Sequence, residues 1–395
     1  MEEERPILGF RRNIFFLGLV SFFNDFSAEM VQSVMPVFLT VVLGAPAAFV
    51  GFLEGFADAL ASVLKLFSGW CSDRIGRRKA PAVMGYVLSV GVRPLLSVVT
   101  NFSQVFGLRV LDRIGKGFRD APRDALIAES AAREDLGRSF GFHRTMDTLG
   151  ATLGPLVAFL LLPLLHGSYR ALFLVAFVIG LGAIGSFAFV REQRIDTADL
   201  KRTLPKLNFA LLGEHSRFAG VVGAIFVFGA GSLPIVLLLL KATEAGFSSA
   251  SVPLVYFIYS FVFVLTAIPL GKLADRIGDR SVIAGGFLIA ALAYFGLSAS
   301  KEMSSVILFF ILLGVYAAAT DGVQRSLAAK RVAPAILATG QGFLNMAIGF
   351  SSLAAGLAGG LLWTNVGSSA ALTYAGAVSL VGAALFLFMT GKREE

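Results

Sequence analysis

Long, almost purely apolar runs recur along this chain, and they decide what it can fold into. Residues 171–190 and 370–389 are two of them, each close to the roughly 20 residues that carry a helix across a bilayer core. Only 15% of the 395 residues are charged and 56% are hydrophobic, whereas soluble domains carry about 25% charged residues. No water-soluble core hides that much apolar surface, so lipid is the solvent. The runs are too long and too uniformly apolar for a β-barrel, whose strands alternate polar and apolar over roughly 10 residues. The 43 glycines and 13 prolines suit membrane helices, where small residues allow close approach and neighbours satisfy the backbone groups that proline frees.

Breaking the hydropathy at polar clusters gives about twelve spans, at 13–42, 47–70, 80–100, 103–127, 138–165, 169–191, 217–241, 250–273, 281–299, 303–329, 335–364 and 369–390. An even number of crossings puts both ends on one side. Arg74, Arg77, Arg78, Lys79, Arg133, Arg194, Lys201, Arg202, Lys206, Arg276, Arg280, Lys330, Arg331, Lys392 and Arg393 share that side, and the opposite loops hold little beyond Arg170, Lys241 and Lys301. Both termini are therefore expected in the cytoplasm, with the chain in a bacterial or archaeal inner membrane. The same asymmetry accounts for the net charge of +8 without a nucleic-acid partner. The first run is too long and too polar in its middle for a cleaved signal peptide, and counts as the first span. The single cysteine, Cys71, falls in an expected loop, which leaves no disulfide framework and no cysteine metal site. His143, His166 and His215 are scattered and make no metal cluster.

The longest polar stretch divides the chain into residues 1–192, a linker at 193–216 and residues 217–395. The two long parts repeat one another. Gly69, Asp73, Arg74 and Gly76 recur as Gly271, Asp275, Arg276 and Gly278, and Asp120 with Gly141-Phe142 recurs as Asp321 with Gly342-Phe343, an offset of about 200 residues in the same direction.

The pattern G-x-x-x-D-R-x-G-R-R at 69–78 resembles motif A of the major facilitator superfamily, and span number, linker and repeat agree with that family along the whole chain. The resemblance implies an all-α membrane protein of twelve transmembrane helices in two six-helix parallel repeats. It also implies that Gly69, Asp73, Arg74, Gly76 and Arg77 form a gate, Asp73 meeting the positive end of a helix near Ala335. Arg113-x-x-Lys116-Gly117 is similar to the family's motif B. Gly141, Gly150, Gly154, Pro155 and Ala158 in span five resemble motif C, found in drug and proton antiporters, and there Gly150, Gly154 and Pro155 are expected to act in gating by close helix packing and a proline bend.

Charges inside the spans point the same way. On insertion scales each central charge costs about 2.5–3.5 kcal/mol, so Asp25 and Glu29 in span one, Glu54 and Asp58 in span two, and Arg109 and Arg113 in span four are candidate functional groups. Each pair shares a helix face at i, i+4. Asp25 and Arg113 both fall near the midplane at 1.5 Å per residue. Asp25, Glu29, Arg109 and Arg113 are read as the proton-coupling set, with Arg93, Arg144 and Asp147 supporting them and Arg119, Arg123 and Asp124 as a surface network. Spans seven, eight and eleven carry no acid or base at mid-membrane, only Tyr256, Tyr259, Gln341, Asn345 and many phenylalanines. Together with Glu54 and Asp58 they form the expected substrate cavity, suited to an amphiphilic compound.

The leading expectation is a monomeric secondary transporter that exports a small amphiphilic molecule against protons, in contact with membrane lipid and using no cofactor. A symporter or exporter of a polar solute or metal ion, and a receptor or scaffold without turnover, stay open beside it. An enzyme is not expected, because no nucleophile with its base, no phosphate loop and no metal spacing is present.

Overall fold

A computed structural model describes residues 7, 9–75, 78–131, 135–192, 216–331 and 337–391, and for 66–75, 216–217, 329 and 337–339 it describes the backbone alone. The described regular structure is helical: α1 (Arg12–Val37), α2 (Ala47–Ile75), α3 (Lys79–Leu96), α4 (Phe102–Ser130), α5 (Leu136–Leu164), α6 (Tyr169–Phe187), α7 (Ser216–Gly231), α8 (Ile235–Glu244), α9 (Val252–Ile277), α10 (Asp279–Ala299), α11 (Met303–Lys330), α12 (Leu337–Asn365) and α13 (Ser368–Thr390). A π-helical turn, Phe38–Val42, extends α1 past Pro36.

The helices fall within a few residues of the expected spans, with three differences. First, α2 continues to Ile75, so Cys71, expected in a loop, lies in helix. Second, α4 runs on to Ser130, capped at its start by Asn101, whose side chain accepts from Gln104 N. Third, the seventh span is broken between Gly231 and Ile235 into α7 and α8. Pro234 has no N–H to donate and disfavours helix at the preceding Leu233, and Ser232 N turns back to Gly229 O at 2.9 Å.

Among the described residues, ten helical segments are long and apolar enough to cross a membrane, the α7–α8 pair counting as one. Neither α3 nor α4 is among them. Arg93 interrupts the apolar run of α3, which starts at Lys79, while α4 carries Arg109, Asp112, Arg113, Lys116, Arg119, Asp120, Arg123 and Asp124. Arg93, Arg109 and Arg119 are nevertheless buried, turned away from lipid as charges at membrane depth must be. Large apolar side chains such as Val178, Leu265, Ile268 and Phe388 stand more than half exposed, as a lipid-facing surface requires.

The chain forms two compact units, Met1–Met35 with Val63–Pro205, and Pro36–Ser62 with Lys206–Glu395. In the first, α3 packs on α4 and α6. Glycine permits the closest approach: a Cβ on Gly85 would lie 2.6 Å from Gly115 O. In the second, α7 packs on α12 and α13, α10 on α11 and α13, and α9 on α11. Its core includes Phe228 stacked on Phe287 with ring centroids 3.5 Å apart, and Phe386 edge-on to Phe287.

Candidate functional site

Within the first unit, α1 is the strut on which the polar side chains converge. Ser21, Asp25, Glu29 and Gln32 recur at helical spacing along one stripe. Beside this stripe stands Asn24, whose Oδ1 accepts from Arg93 Nη2 of α3 and from Arg119 Nη1 of α4, each at 3.0 Å. Its Nδ2 donates to Asp25 Oδ1 at 2.6 Å, and Arg93 Nη2 also reaches Asn24 O at 3.1 Å. Arg93 is 3% and Arg119 5% exposed. The Arg119 guanidinium lies 4.6 Å over the Tyr86 ring and 3.6 Å from Asp120. A buried charge is tolerated only with such partners.

Asp147 of α5 stands beside Asp25. Two such carboxyls can bond one another only when one of them carries a proton, since an ionised carboxylate only accepts. Four residues earlier on α5, His143 Nε2 lies 2.6 Å from Ser21 Oγ, both side chains being buried. Gly150 and Gly154 continue this stripe and set α5 directly on α1. A Cβ at Gly154 would come within 2.6 Å of Phe26 O and 2.9 Å of Met30 N, and one at Gly150 would run into Phe22 O. The glycine pattern thus presses on the stretch of α1 that carries Asp25 and Glu29. Here α5 runs unbroken through the buried Pro155.

Arg109 of α4 bonds Gln32 Oε1 and lies 3.8 Å from Asp112. Glu29, Glu54 and Arg113 are likewise engaged with partners. Asp25 also has Arg119 and Lys116 of α4 in its neighbourhood, two bases that the sequence reading did not pair with it. Arg119, read from the sequence as part of a surface network, is buried instead. The close α3–α4 packing at Gly85 and Gly115 keeps the stripe of Asp112, Arg119 and Arg123 turned inward. Asp120 holds Lys65 at 3.4 Å and Arg123 at 3.6 Å. Only Asp124, with half its side chain exposed and 2.8 Å from Arg123, keeps the surface character expected. Arg144 pairs with Asp147 at 3.0 Å.

In the second unit the 47–62 part of α2 lies on α12 through glycines. A Cβ at Gly55 would be 2.6 Å from Ser352 O, and Gly51 and Gly356 abut backbone to backbone. Ser352 Oγ donates to Asp58 Oδ2 at 2.9 Å, and Ala48 N donates to Thr364 Oγ1 at 2.8 Å. Asp58, expected in a cavity wall, is thus tied into a helix seam, and Glu54 is buried. Ser352→Ala is expected to weaken the seam by roughly 1–3 kcal/mol, the usual loss when a hydrogen bond to a charged group goes. A lower midpoint in thermal unfolding of the purified protein checks this, and an unchanged midpoint would remove the seam bond from the account.

Tyr256 and Tyr259 stack with centroids 6.0 Å apart. Close to the α7–α8 break, Ser232 Oγ lies 2.9 Å from the Tyr316 hydroxyl and 3.4 Å from that of Tyr294, and the Tyr374 hydroxyl donates to Ala230 O at 3.0 Å. Gln341 Nε2 donates to Arg325 O at 2.7 Å, which ties it to the end of α11 near the start of α12. Asn345 sits half-buried one turn on. Of the expected gate, Gly69, Asp73 and Arg74 lie in the last turns of α2. Their side chains, Gly76, Arg77 and the region of Ala335 lie outside the described residues. Next to them, Glu192 Oε1 accepts from the backbone N–H groups of Arg78 and Lys79 at the start of α3, and Arg78 Nε lies 3.2 Å from Glu129.

The sequence missed the role of Asn24. Its signal was a neutral amide next to an acid in the middle of an apolar run. Tyr86, Ser232 and Tyr316 carried no comparable signal, because lone tyrosines and serines in membrane helices are common.

Known proteins bear on this geometry. An uncharacterised MFS-type transporter of Methanocaldococcus jannaschii is 29% identical over 384 residues, 96% of this chain and 95% of that protein. The multidrug resistance protein MdtG of a Rahnella strain is 26% identical over 301 residues, 72% of this chain and 71% of MdtG. Among solved structures, a POT family transporter in complex with a thioalcohol-conjugated peptide superimposes with a TM-score of 0.81 at 15% identity, over 98% of this chain and 97% of that one. The nucleoside transporter NupG gives a TM-score of 0.79 at 15% identity, over 97% of this chain and 100% of NupG. At those identities the structures speak for the fold alone. The sequence profile of the Major Facilitator Superfamily matches residues 17–230 and 219–395. With apolar helices long enough to cross a bilayer and a profile match over nearly its whole length, the chain belongs to the Major Facilitator Superfamily and is a multi-pass membrane transporter, not an enzyme.

Proposed function

We propose that this transporter has twelve spans in two halves, α3 and α4 crossing with their charges turned inward, and that it exports a small amphiphilic compound in exchange for protons. Asp25 is the main coupling acid in this reading, with Glu29 assisting and Arg109 and Arg113 in the surrounding cationic wall. The observation that carries it is Asp25 in the middle of α1, bonded by Asn24, which also holds the buried Arg93 and Arg119, with the Asp147 carboxyl of α5 beside it. A proton shared in such a pair, next to cations that can move, is what coupling demands. Glycine packing of α5 on the same stretch of α1 and the likeness to MdtG both favour export. Tyr256, Tyr259, Gln341 and Asn345 belong to an uncharged, aromatic substrate wall, with Glu54 and Asp58 close to it. Both termini face the cytoplasm of the inner membrane, and the transporter acts as a monomer.

The test is a panel of amphiphilic compounds screened by thermal shift on purified protein, followed by flux of the strongest stabiliser in proteoliposomes with an imposed pH gradient. Accumulation only under the gradient supports the reading, and binding without flux would leave a receptor. For the gate, Asp73→Asn is expected to favour the inward-open form, since a carboxylate at a helix end is worth up to about 2 kcal/mol. Cysteine labelling from the two faces reads the shift, and unchanged labelling on both would deny Asp73 a gating role.

A further inference from the structure

Two buried guanidiniums share a single neutral acceptor. The amide orientation of Asn24 is fixed by chemistry, because Arg93 and Arg119 can only donate, so the atom between them is Oδ1 and Nδ2 points to Asp25. The arginines come from different helices, α3 and α4, and both are drawn to α1 at this one side chain. Arg93 Nη1 has no hydrogen-bond partner. It rests against Gly180 of α6, where a Cβ would collide with it. An amide oxygen is a weak counterpart for two cations away from water. Its strength as an acceptor depends on what its own N–H groups bind, because hydrogen bonds in a chain polarise one another.

We infer that Asn24 is a positioning residue that relays the protonation of Asp25 to Arg93 and Arg119, so that α3 and α4 are held on α1 while Asp25 is ionised and released when it takes a proton. With Asp25 ionised, its Oδ1 pulls on the amide N–H and the amide oxygen grips both guanidiniums. With Asp25 protonated, its carboxyl bonds Asp147, the pull on the amide falls and the grip loosens. Among the described residues, the groups near Asp25 are Asn24 on its own helix, Arg93 on α3, Lys116 and Arg119 on α4, and His143 and Asp147 on α5. Of these, Asn24 bonds the acid and both arginines. This inference rests on the reading of Asp25 as the coupling acid.

The experiment needs no substrate. Ser27 lies one turn beyond Asn24, is fully buried, and its hydroxyl donates to Ala176 O of α6. A Cβ on Gly180 would touch both Ser27 Oγ and Arg93 Nη1, so a thiol at position 27 reports whether α1 parts from its neighbours. Ser27→Cys in a Cys71→Ala background is reconstituted in nanodiscs and labelled with a methanethiosulfonate reagent at acid and alkaline pH, each rate normalised to an exposed control thiol. We expect labelling about tenfold faster at acid pH, a typical coupling between linked sites. Adding Asn24→Leu should remove the pH dependence and leave labelling fast. Adding Asn24→Asp, which keeps the shape but puts a carboxylate between the arginines, should hold labelling slow at both pH values. Should Asn24→Asp and Asn24→Leu keep the response of the parent while Asp25→Asn abolishes it, the relay is overturned and the coupling acid stands. If Asp25→Asn keeps the response, or the parent shows none, the coupling reading falls and the relay with it.

Discussion

Asn in place of Asp25 is expected to abolish accumulation driven by a proton gradient while leaving substrate binding intact. The substitution keeps the shape of the side chain and its contact with Asn24 Nδ2, which donates to Oδ1 at 2.6 Å, but the amide cannot take up and give back a proton. It also replaces the carboxyl that Asp147 bonds with a group of fixed charge, so the site stays in one electrostatic state through the cycle. A transporter that depends on this proton can then only exchange substrate for substrate. Uphill transport by the Asp25→Asn protein with the wild-type pH dependence would show the assignment to be wrong, and Asp147 would become the candidate.

A leucine at Gly154 is expected to stop transport as well, by a different route. The Cβ alone would approach Phe26 O to 2.6 Å and Met30 N to 2.9 Å. These are backbone atoms, so the whole of α1 must move away from α5, carrying Asp25 and Glu29 with it. Overpacking of this kind costs about 1–3 kcal/mol, which a membrane protein held by many helix contacts can absorb without unfolding. The expected outcome is protein that is made and purified with a lowered unfolding midpoint, retains α-helical circular dichroism and gives no exchange in proteoliposomes. Normal exchange in the Gly154→Leu protein would reduce the glycine pattern to ordinary packing.

Much of this architecture was legible in the sequence because lipid imposes simple rules. A run of about 20 apolar residues has one good solution in a bilayer, and the helices from α9 to α13 begin and end within a few residues of where hydropathy puts them. The break between α7 and α8 was not read. Pro234 is one of several prolines in spans, and α5 passes through Pro155 and α9 through Pro269 without interruption. What sets Pro234 apart is the neighbouring Gly231 and Ser232, whose packing partners Val378 and Tyr316 are distant in sequence.

The acids and bases of the site were visible as costly charges in apolar surroundings, but their pairing was not. Arg113 and Arg119 stand about 9 Å apart along α4 at 1.5 Å per residue, and nothing in the sequence fixes how deep α4 lies against α1, so it does not show that Arg119 is the one that meets Asn24. The same holds for Asp58, whose partner Ser352 follows from glycines on both α2 and α12. A single sequence shows small residues without showing which other small residues they face.

The most direct measurement of the central claim is proton movement caused by substrate. Proteoliposomes with a trapped pH-sensitive dye, and no imposed gradient, are mixed with a compound that binds the purified protein. Substrate-dependent movement of protons across the membrane in the wild-type protein, absent from the Asp25→Asn protein, is the predicted result. Substrate flux without any proton movement in the wild type, or equal proton movement in both proteins, would contradict it.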